Sequence, residues 1–381
     1  MKKMLLHVLL VLMLCSLILI LPATSAENGK IVFTSERDSY NDVYVMNADG
    51  TGQTRLTTDL DRNLNPAWSP DCTQIAFESF NQVGNNEIYV MNADGTEQTR
   101  LTTGTFPDYS INPKWSPDGS KIAFNSQRDG NQDISVMNKD GTGQTRLTTN
   151  LDLDQNPAWS PDGTQIAFES QRDGDGEIYV MNADGTGQTR LTTNLDWDQN
   201  PAWSPDGTQI AFKSFREGKD EIYVMNADGT EQTRLTTETL YIHSVFAHFV
   251  WSPDGSKIAF GSYRDSNGMP SAQDIYVMNK DGTDQTRLTT NPSWDLDPSW
   301  CPAVKPGSLE VKSSPSKAKI YINGIYKEQV TKWTFDDMAP GDYKVYVTLE
   351  GYSIPATETV KVISGQTASL HFKLDKLKKV K

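Results

Sequence analysis

Catalysis and metal binding need convergent nucleophiles, acid–base pairs or ligand clusters, so histidines, cysteines and carboxylates are considered first. Beyond residue 26 the 381-residue chain holds only His243, His248 and His371, with two cysteines, Cys72 and Cys301. It has no His-x-x-x-His, no cysteine pair at ligand spacing and no Gly-x-Ser-x-Gly elbow. Those are the arrangements that hold zinc or aim a nucleophile. No catalytic residue and no metal ligand is therefore assigned. Asp173-Gly-Asp175-Gly-Glu177 and Asp152-Leu-Asp154 alternate like calcium loops, but neither has the spacing of an EF-hand. A turn accounts for them better.

Six polar residues share one spacing. Asn65, Asn112, Asn156, Asn200, His248 and Asp297 each stand three residues before a tryptophan, at Trp68, Trp115, Trp159, Trp203, Trp251 and Trp300. They mark one position of a module of about 45 residues. A complete copy, as in 156–193, runs Asn-Pro-Ala-Trp-Ser-Pro-Asp-Gly, Ile-Ala-Phe, Glu-Ile-Tyr-Val-Met-Asn, Asp-Gly-Thr and Gln-Thr-Arg-Leu-Thr-Thr. Its apolar period is two, and Gly or Pro turns recur every 8–12 residues, which is all-β patterning. Four strands are expected: one with the Trp, Gln-Ile-Ala-Phe, Ile-Tyr-Val-Met, and an outer Thr-Arg-Leu-Thr. A tight Asn-Ala-Asp-Gly-Thr hairpin joins the last two, with Asp-Gly supplying positive φ angles.

Both faces of the middle strands are apolar, so one module cannot bury itself and must be covered by neighbours. The first copy lacks its Trp segment and starts at Ile31, while the last stops just after Trp300. Head and tail sum to one module. The prediction is an all-β, six-bladed β-propeller closed by N- and C-terminal strands in one blade, with residues 30–57 and 294–301 sharing a sheet. An open solenoid is the alternative. Innermost strands line a propeller's tunnel, so the six polar residues form a ring around the axis. That ring is either water-filled lining or a site for a cation such as calcium or a small polar ligand; no other cofactor is expected.

The motifs Trp-Ser-Pro-Asp-Gly-x-x-Ile-Ala-Phe and Ile-Tyr-Val-Met-Asn-x-Asp-Gly are similar to the WD40-like PD40 repeat of TolB-type propellers, over residues 29–302. TolB proteins carry an α/β domain ahead of the propeller, for which residues 1–26 leave no room, so the resemblance implies a fold more than a role in the Tol–Pal system. After a linker at 303–307 the repeat ends. Residues 308–374 alternate as half-buried strands: Leu309-Glu-Val-Lys, Ala318-Lys-Ile-Tyr-Ile, Tyr343-Lys-Val-Tyr-Val, Thr359-Val-Lys-Val and Ser369-Leu-His-Phe. With Pro340-Gly341-Asp342-Tyr343-Lys344-Val345 and Gly351-Tyr352, they resemble a PEGA domain, a small β-sandwich of envelope and surface proteins. Its naming tetrapeptide is Pro315-Ser316-Lys317-Ala318 here, matching at the first and last residues. A basic tail, 375–381, follows.

Lys2, Lys3, the apolar run Met4–Leu21 and Ala23-Thr24-Ser25-Ala26 read as a signal peptide, with retention as an N-terminal anchor the alternative. An extracytoplasmic location follows: secreted, periplasmic or cell surface. Removing residues 1–26 leaves 33 basic against 49 acidic side chains, a net charge of about −16. That surface repels phosphate backbones and excludes nucleic acid as a partner. Cys72 replaces the Gly of one Ser-Pro-Asp-Gly turn and Cys301 the Ser of another, in neighbouring modules. Two free thiols are expected rather than a bridge.

A feature present in every module is scaffold, so Arg55, Arg100, Arg146, Arg190, Arg234 and Arg287 are read as outer-strand partners of turn carboxylates. Function is sought where symmetry breaks. The links at 150–157 and 194–201 read Asn-Leu-Asp-x-Asp-Gln-Asn-Pro, but the fifth is Glu238–Val250, with Tyr241, His243, Phe246, His248 and Phe249. Two readings stand level: a protein-binding anchor, or extra core folded into the tunnel mouth. The insertion Ser266–Gln273 is placed at the opposite rim. The expected function is a non-enzymatic extracytoplasmic binding scaffold for an envelope or surface protein, or a surface polymer, with the PEGA-like domain aiding envelope association. Any membrane contact runs through the N-terminal segment. The alternative is a hydrolase or lyase acting on a surface polymer in the tunnel.

Overall fold

Ile-Ala-Phe and Ile-Tyr-Val-Met project apolar side chains to both faces of a strand pair, and those pairs form the middle of every sheet. The structure, a computed structural model, describes residues 29–377 apart from 39, 59–60, 81–83, 105–108, 129, 238–247, 264–272, 302–306, 339–340 and 363–365. The signal segment and most of the fifth link lie outside the described residues. In the module at 154–190, Asp154–Trp159, Gln165–Ser170, Glu177–Asn182 and Thr189–Arg190 lie side by side and antiparallel. Phe168 faces Tyr179 and Ile166 faces Met181 across the central pair. Six four-stranded sheets of this kind occur before residue 302. In one of them Asp295–Cys301 pairs with Lys30–Ser35, setting Trp300 opposite Ile31. Beyond a 3-10 turn at Arg216–Gly218, the described residues contain no helix.

Each sheet covers the next. Ala167 and Ile178 of one module pack with Ile210, Phe212 and Tyr223 of the following one. Ile275 and Val277 of the last pack with Ile31, Phe33 and Tyr44 of the first. The indole N–H groups of Trp115, Trp159 and Trp251 donate to the carbonyls of Ala67, Lys114 and Ala202 one module back, each at 3.2 Å. The hairpin glycines lie against the preceding module as well. A Cβ on Gly185 would sit 2.8 Å from the Leu147 carbonyl oxygen, and one on Gly50 would sit 2.7 Å from that of Leu288. Only the glycine of each Asp-Gly takes positive φ, +88° at Gly185. The aspartate instead caps the turn, Asp184 Oδ1 accepting from Thr186 N–H and Oγ1–H.

The outer strand is shorter than expected, two residues rather than four. After Arg190 the ladder position is taken by a side chain: Thr192 Oγ1 accepts the Ile178 N–H at 2.9 Å. On the other rim, Ser160 Oγ donates to Asp162 Oδ1 and accepts from Gln165 N–H, closing the Ser-Pro-Asp-Gly turn. In one such turn, hydrogen bonds from Ser116 and Ser120 hold the Asp118 carboxyl down to about 2.

The cysteines correct the expectation of free thiols. Cys72 and Cys301 form a disulfide, with Cα atoms 5.8 Å apart across 229 residues of sequence. Both substitutions have a physical reason. The glycine of this turn has φ near +70° elsewhere, and Cys72 keeps φ +59°, a conformation that costs an L-residue about 1–2 kcal/mol. Cys301 stands where Ser caps a turn in other modules, but the Asp-Gly of that turn is replaced in the sequence by Ala303-Val304. The bridge ties the strand contributed by the propeller's C-terminal end to the second sheet.

Beyond the repeat, Gly307–Ser314 pairs in parallel with Thr367–Lys373 and antiparallel with Trp333–Met338. A second sheet orders Ile325–Val330, Lys319–Ile322, Gly341–Thr348 and Glu358–Val362. Leu309, Val311, Ile320, Val345, Val347 and Phe372 fill the space between the two sheets. Gly307, assigned to the linker from sequence, opens the first strand. The segment taken as a free tail is docked as far as Leu377, whose N–H bonds the Gly351 carbonyl.

Two outcomes test these contacts. Gly185→Ala meets positive φ and the Leu147 carbonyl together, and is expected to destabilise by about 1–3 kcal/mol in denaturant melts. Cys301→Ser is expected to cost about 2–5 kcal/mol in oxidising buffer and nothing further once the parent is reduced.

Candidate functional site

The inner strands hold the ring through their backbone. Each Asn-Pro step shifts the register against the second strand, as between Gln155 and Ala158 or Gln199 and Ala202. The bulge residue is left-handed: Asn65 φ +50°, Asn112 +56°, Asn156 +58°, Asn200 +54° and Asp297 +53°. Asn and Asp are the non-glycine residues that best tolerate this region. Their identity is therefore a conformational requirement before it is a chemical one. His248 has no such bulge, because its strand starts one residue later, at Phe249.

Inner strands of all six sheets line one cavity of about 250 Å³. Asn112, Asn156, Asn200, His248 and Asp297 border it, and Asn65 does not. The amides are mostly spent on each other and on buried carboxylates. Asn65 Nδ2 donates to Glu78 at 2.8 Å, Asn112 Nδ2 to Asn156 Oδ1 at 2.6 Å, and Asn156 Nδ2 to Glu169 at 2.9 Å. His248 Nδ1 lies 2.6 Å from Asp297 Oδ1, and Thr34 donates to the other oxygen of that carboxylate. Asn112 Oδ1 and His248 Nε2 are buried without a hydrogen-bond partner.

Two further series carry the asymmetry, and the sequence reading missed both. Immediately before the Trp of each inner strand stand Ala67, Lys114, Ala158, Ala202, Val250 and Ser299. Lys114 is the charged member and lines the cavity, with no hydrogen-bond or ion-pair partner among the described residues. Burial lowers its pKa, while Asp297 and Glu78 raise it. The position after Ile-Ala-Phe reads Thr34, Glu78, Asn125, Glu169, Lys213 and Gly261, all buried and variable beside a nearly constant Ile-Ala-Phe. Burial pushes the Glu78 carboxyl up to about 7 against hydrogen bonds from Asn65 and the Asn112 N–H. Burial raises Glu169 too. Aligning the modules column by column would have exposed both series.

Arg55, Arg100, Arg146 and Arg287 pair with Asp42, Glu87, Asp133 and Asp274 at 2.6–2.7 Å. These are buried carboxylates at the head of the third strand, not turn residues. Loop carboxylates are second partners, such as Asp173 at 3.3 Å from Arg190. The calcium-loop readings dissolve in the same way. Asp173 and Glu177 share Arg190, and Asp154 holds Arg172 at 3.1 Å. Among the described residues no group of three His, Cys, Asp or Glu is placed to hold a metal. Lys114, a basic residue, is among those lining the cavity named as a tunnel-cation site.

Tyr241, His243 and Phe246 lie outside the described residues. Phe249 is no surface anchor: it is 6% exposed and packs with Trp251, Phe260 and Tyr276. The strand 2–3 loops share the rim of the module links, since Asp295 N–H bonds the Gln273 carbonyl and Asp198 N–H that of Gly176. Gln273, the last residue of the insertion, thus lies on the links' rim rather than the opposite one, and Ser266–Ala272 lie outside the described residues. On that rim Leu151 is 94% and Leu195 90% exposed, beside half-exposed Trp197.

Sheets packed side by side around a shared cavity define a β-propeller. A family model for the TolB beta propeller domain, PD40, matches residues 15–105, 102–193 and 171–260, and a PEGA domain model matches 306–378. The chain belongs to the PD40 TolB-type β-propeller family and carries a C-terminal PEGA domain. No curated protein matches it. Among solved structures, TolB from Acinetobacter baumannii is 22% identical with a TM-score of 0.62, covering 72% of this chain and 67% of that one. A putative TolB from Agrobacterium tumefaciens is 23% identical with a TM-score of 0.56, covering 72% and 99%. An oligogalacturonate lyase in complex with manganese is 17% identical with a TM-score of 0.51, covering 69% and 74%. Identities this low establish the fold.

Glu78 makes the site sensitive to pH. From its ordinary value of 4.5 to about 7 the folded protein keeps a proton that the unfolded chain has lost. Stability therefore falls as pH rises through that window and levels off above it. Glu78→Gln, which keeps an acceptor for Asn65 and Asn112, is expected to raise stability at pH 8 by roughly 3 kcal/mol and to change little at pH 4.5. Denaturant melts at the two pH values check this.

Proposed function

We propose that this protein is an extracytoplasmic, non-enzymatic binding scaffold. Its six sheets act as one closed six-bladed propeller over residues 27–302, presenting a face to an envelope or surface protein, while the PEGA domain aids envelope association. Residues 1–26 act as its export signal. Closure is supported by the pairing of Asp295–Cys301 with Lys30–Ser35 and by the Gly50–Leu288 approach.

The observation that carries the binding role is the pair Leu151 and Leu195. They are almost fully exposed at equivalent places in adjacent links, on a chain whose net charge is −14. A leucine held in water on a rigid rim gains free energy only when something covers it. The next link in the sequence, outside the described residues, carries Tyr241, His243 and Phe246. Combined Leu151→Ser, Leu195→Ser, Tyr241→Ser and Phe246→Ser changes are expected to leave the melting temperature unchanged and abolish capture of an envelope protein in pull-downs. Retained capture would sink the rim as the binding face. Phe249→Ser, by contrast, removes core and is expected to cost about 3–5 kcal/mol.

One observation favours the second reading, a hydrolase or lyase acting on a surface polymer. His248 and Asp297 have the arrangement of a base oriented by a carboxylate, at the edge of the cavity. Turnover of an envelope polysaccharide by the purified chain, lost in His248→Ala and Asp297→Asn, would replace the scaffold reading.

A further inference from the structure

The axial cavity has a chemistry independent of the rim. Its lining amides are fixed by left-handed bulges and mutual hydrogen bonds, so it is preorganised. Three polar groups of its lining residues have no hydrogen-bond partner among the described residues: the Lys114 ammonium, Asn112 Oδ1 and His248 Nε2. We infer that this cavity binds one small hydroxycarboxylate, its carboxylate meeting Lys114 Nζ and a hydroxyl donating to Asn112 Oδ1.

Charge sets the class of ligand. A cation is opposed by Lys114 at close range. A dianion such as phosphate would face Asp297 and Glu78, both near enough to act on Lys114, with one ammonium to balance it. A single carboxylate matches a single ammonium, and burial strengthens such a contact. Lys114 is not consumed by its acidic neighbours. Asp297 is held by His248 and Thr34, and Glu78 by Asn65 and the Asn112 N–H.

Size and polarity narrow it further. A cavity of about 250 Å³ falls just below the usual range for drug-sized ligands, so it suits one monosaccharide-sized molecule rather than a chain. Asn112 Oδ1 is an acceptor and needs a donor that plain acetate lacks. A sugar acid or a short hydroxy acid supplies both groups. The repeat places Lys114 uniquely: at the equivalent position the other five modules carry Ala, Val or Ser, which can make no charged contact.

Calorimetric titration of the full chain with D-glucuronate, D-galacturonate and L-lactate tests this, with D-glucose and acetate as controls. At least one hydroxycarboxylate is expected to bind saturably, glucose not at all, and acetate more weakly. Lys114→Met, close in length and uncharged, is expected to weaken binding at least about tenfold. Absence of saturable binding by all three acids, or equal binding by the Met variant, overturns the proposal. Should that variant fail to fold, the Lys114 Cε resonance of 13C-lysine-labelled wild type must move on titration, and an unmoved resonance overturns it equally. Neither outcome bears on capture at the Leu151–Leu195 rim.

Discussion

Everything in the larger domain depends on one constraint: a sheet that is apolar on both faces has to be covered by a copy of itself. Burial of Ile, Phe and Met supplies the driving force, but it is non-directional. Direction comes from two contacts, the first made by Trp115, Trp159 and Trp251 and the second present in all six modules. An indole N–H reaches a carbonyl one module back, and a hairpin glycine sits against the carbonyl of the preceding Leu. The second contact explains the residue type. At 2.3–2.8 Å from a backbone oxygen in every module, a Cβ has no room, and the neighbouring backbone cannot step aside as a side chain can.

The same constraint acts at the seam, where no covalent chain links Cys301 to Lys30. Strand pairing replaces the missing connection there, and Ser299 Oγ accepts the Trp68 N–H from the second sheet. The disulfide adds a covalent tie between the same two sheets. Cys72 accepts a left-handed backbone that glycine would occupy at lower cost. That concession is local, whereas the bridge limits the freedom of a very long loop in the unfolded chain.

Much of this was legible because period and turn chemistry are local. The four-strand module, the split sheet and the main strands of the C-terminal sandwich could be read from alternation and Gly or Pro punctuation. The shortfalls have physical causes. Thr192 substitutes a hydroxyl for a backbone acceptor, so the outer strand ends two residues early with no change in its apolar pattern. Ile325–Val330 and Trp333–Met338 escaped notice because their side chains are mostly exposed and leave little burial pattern. The disulfide joins positions 229 residues apart, a proximity created by the pairing of Asp295–Cys301 with Lys30–Ser35 and the packing of that sheet on the second. Exposed anchors and core aromatics have the same composition, so Phe249 could not be told from a binding residue by type.

The axial site shows why a repeat has to be read column by column rather than module by module. Asn65, Asn112, Asn156 and Asn200 attract attention as a polar ring, yet their backbone angles account for them. A residue demanded by conformation at nearly every module carries little information about a ligand. Columns without that demand are free to vary, and there the ring holds Lys114 among small residues and Glu78, Glu169 and Lys213 among neutral ones. Burying ionisable groups near one axis is costly unless they are paired or neutralised. Glu78 meets the cost by holding its proton up to about 7, Asp297 by binding His248, and Lys213 by lying 3.8 Å from Asp220. Lys114 has no such direct partner among the described residues. Ala, Val or Ser stands at the same position in the other five modules, so the stacking of modules does not itself require a charge there, and the proposed hydroxycarboxylate gives that charge a partner.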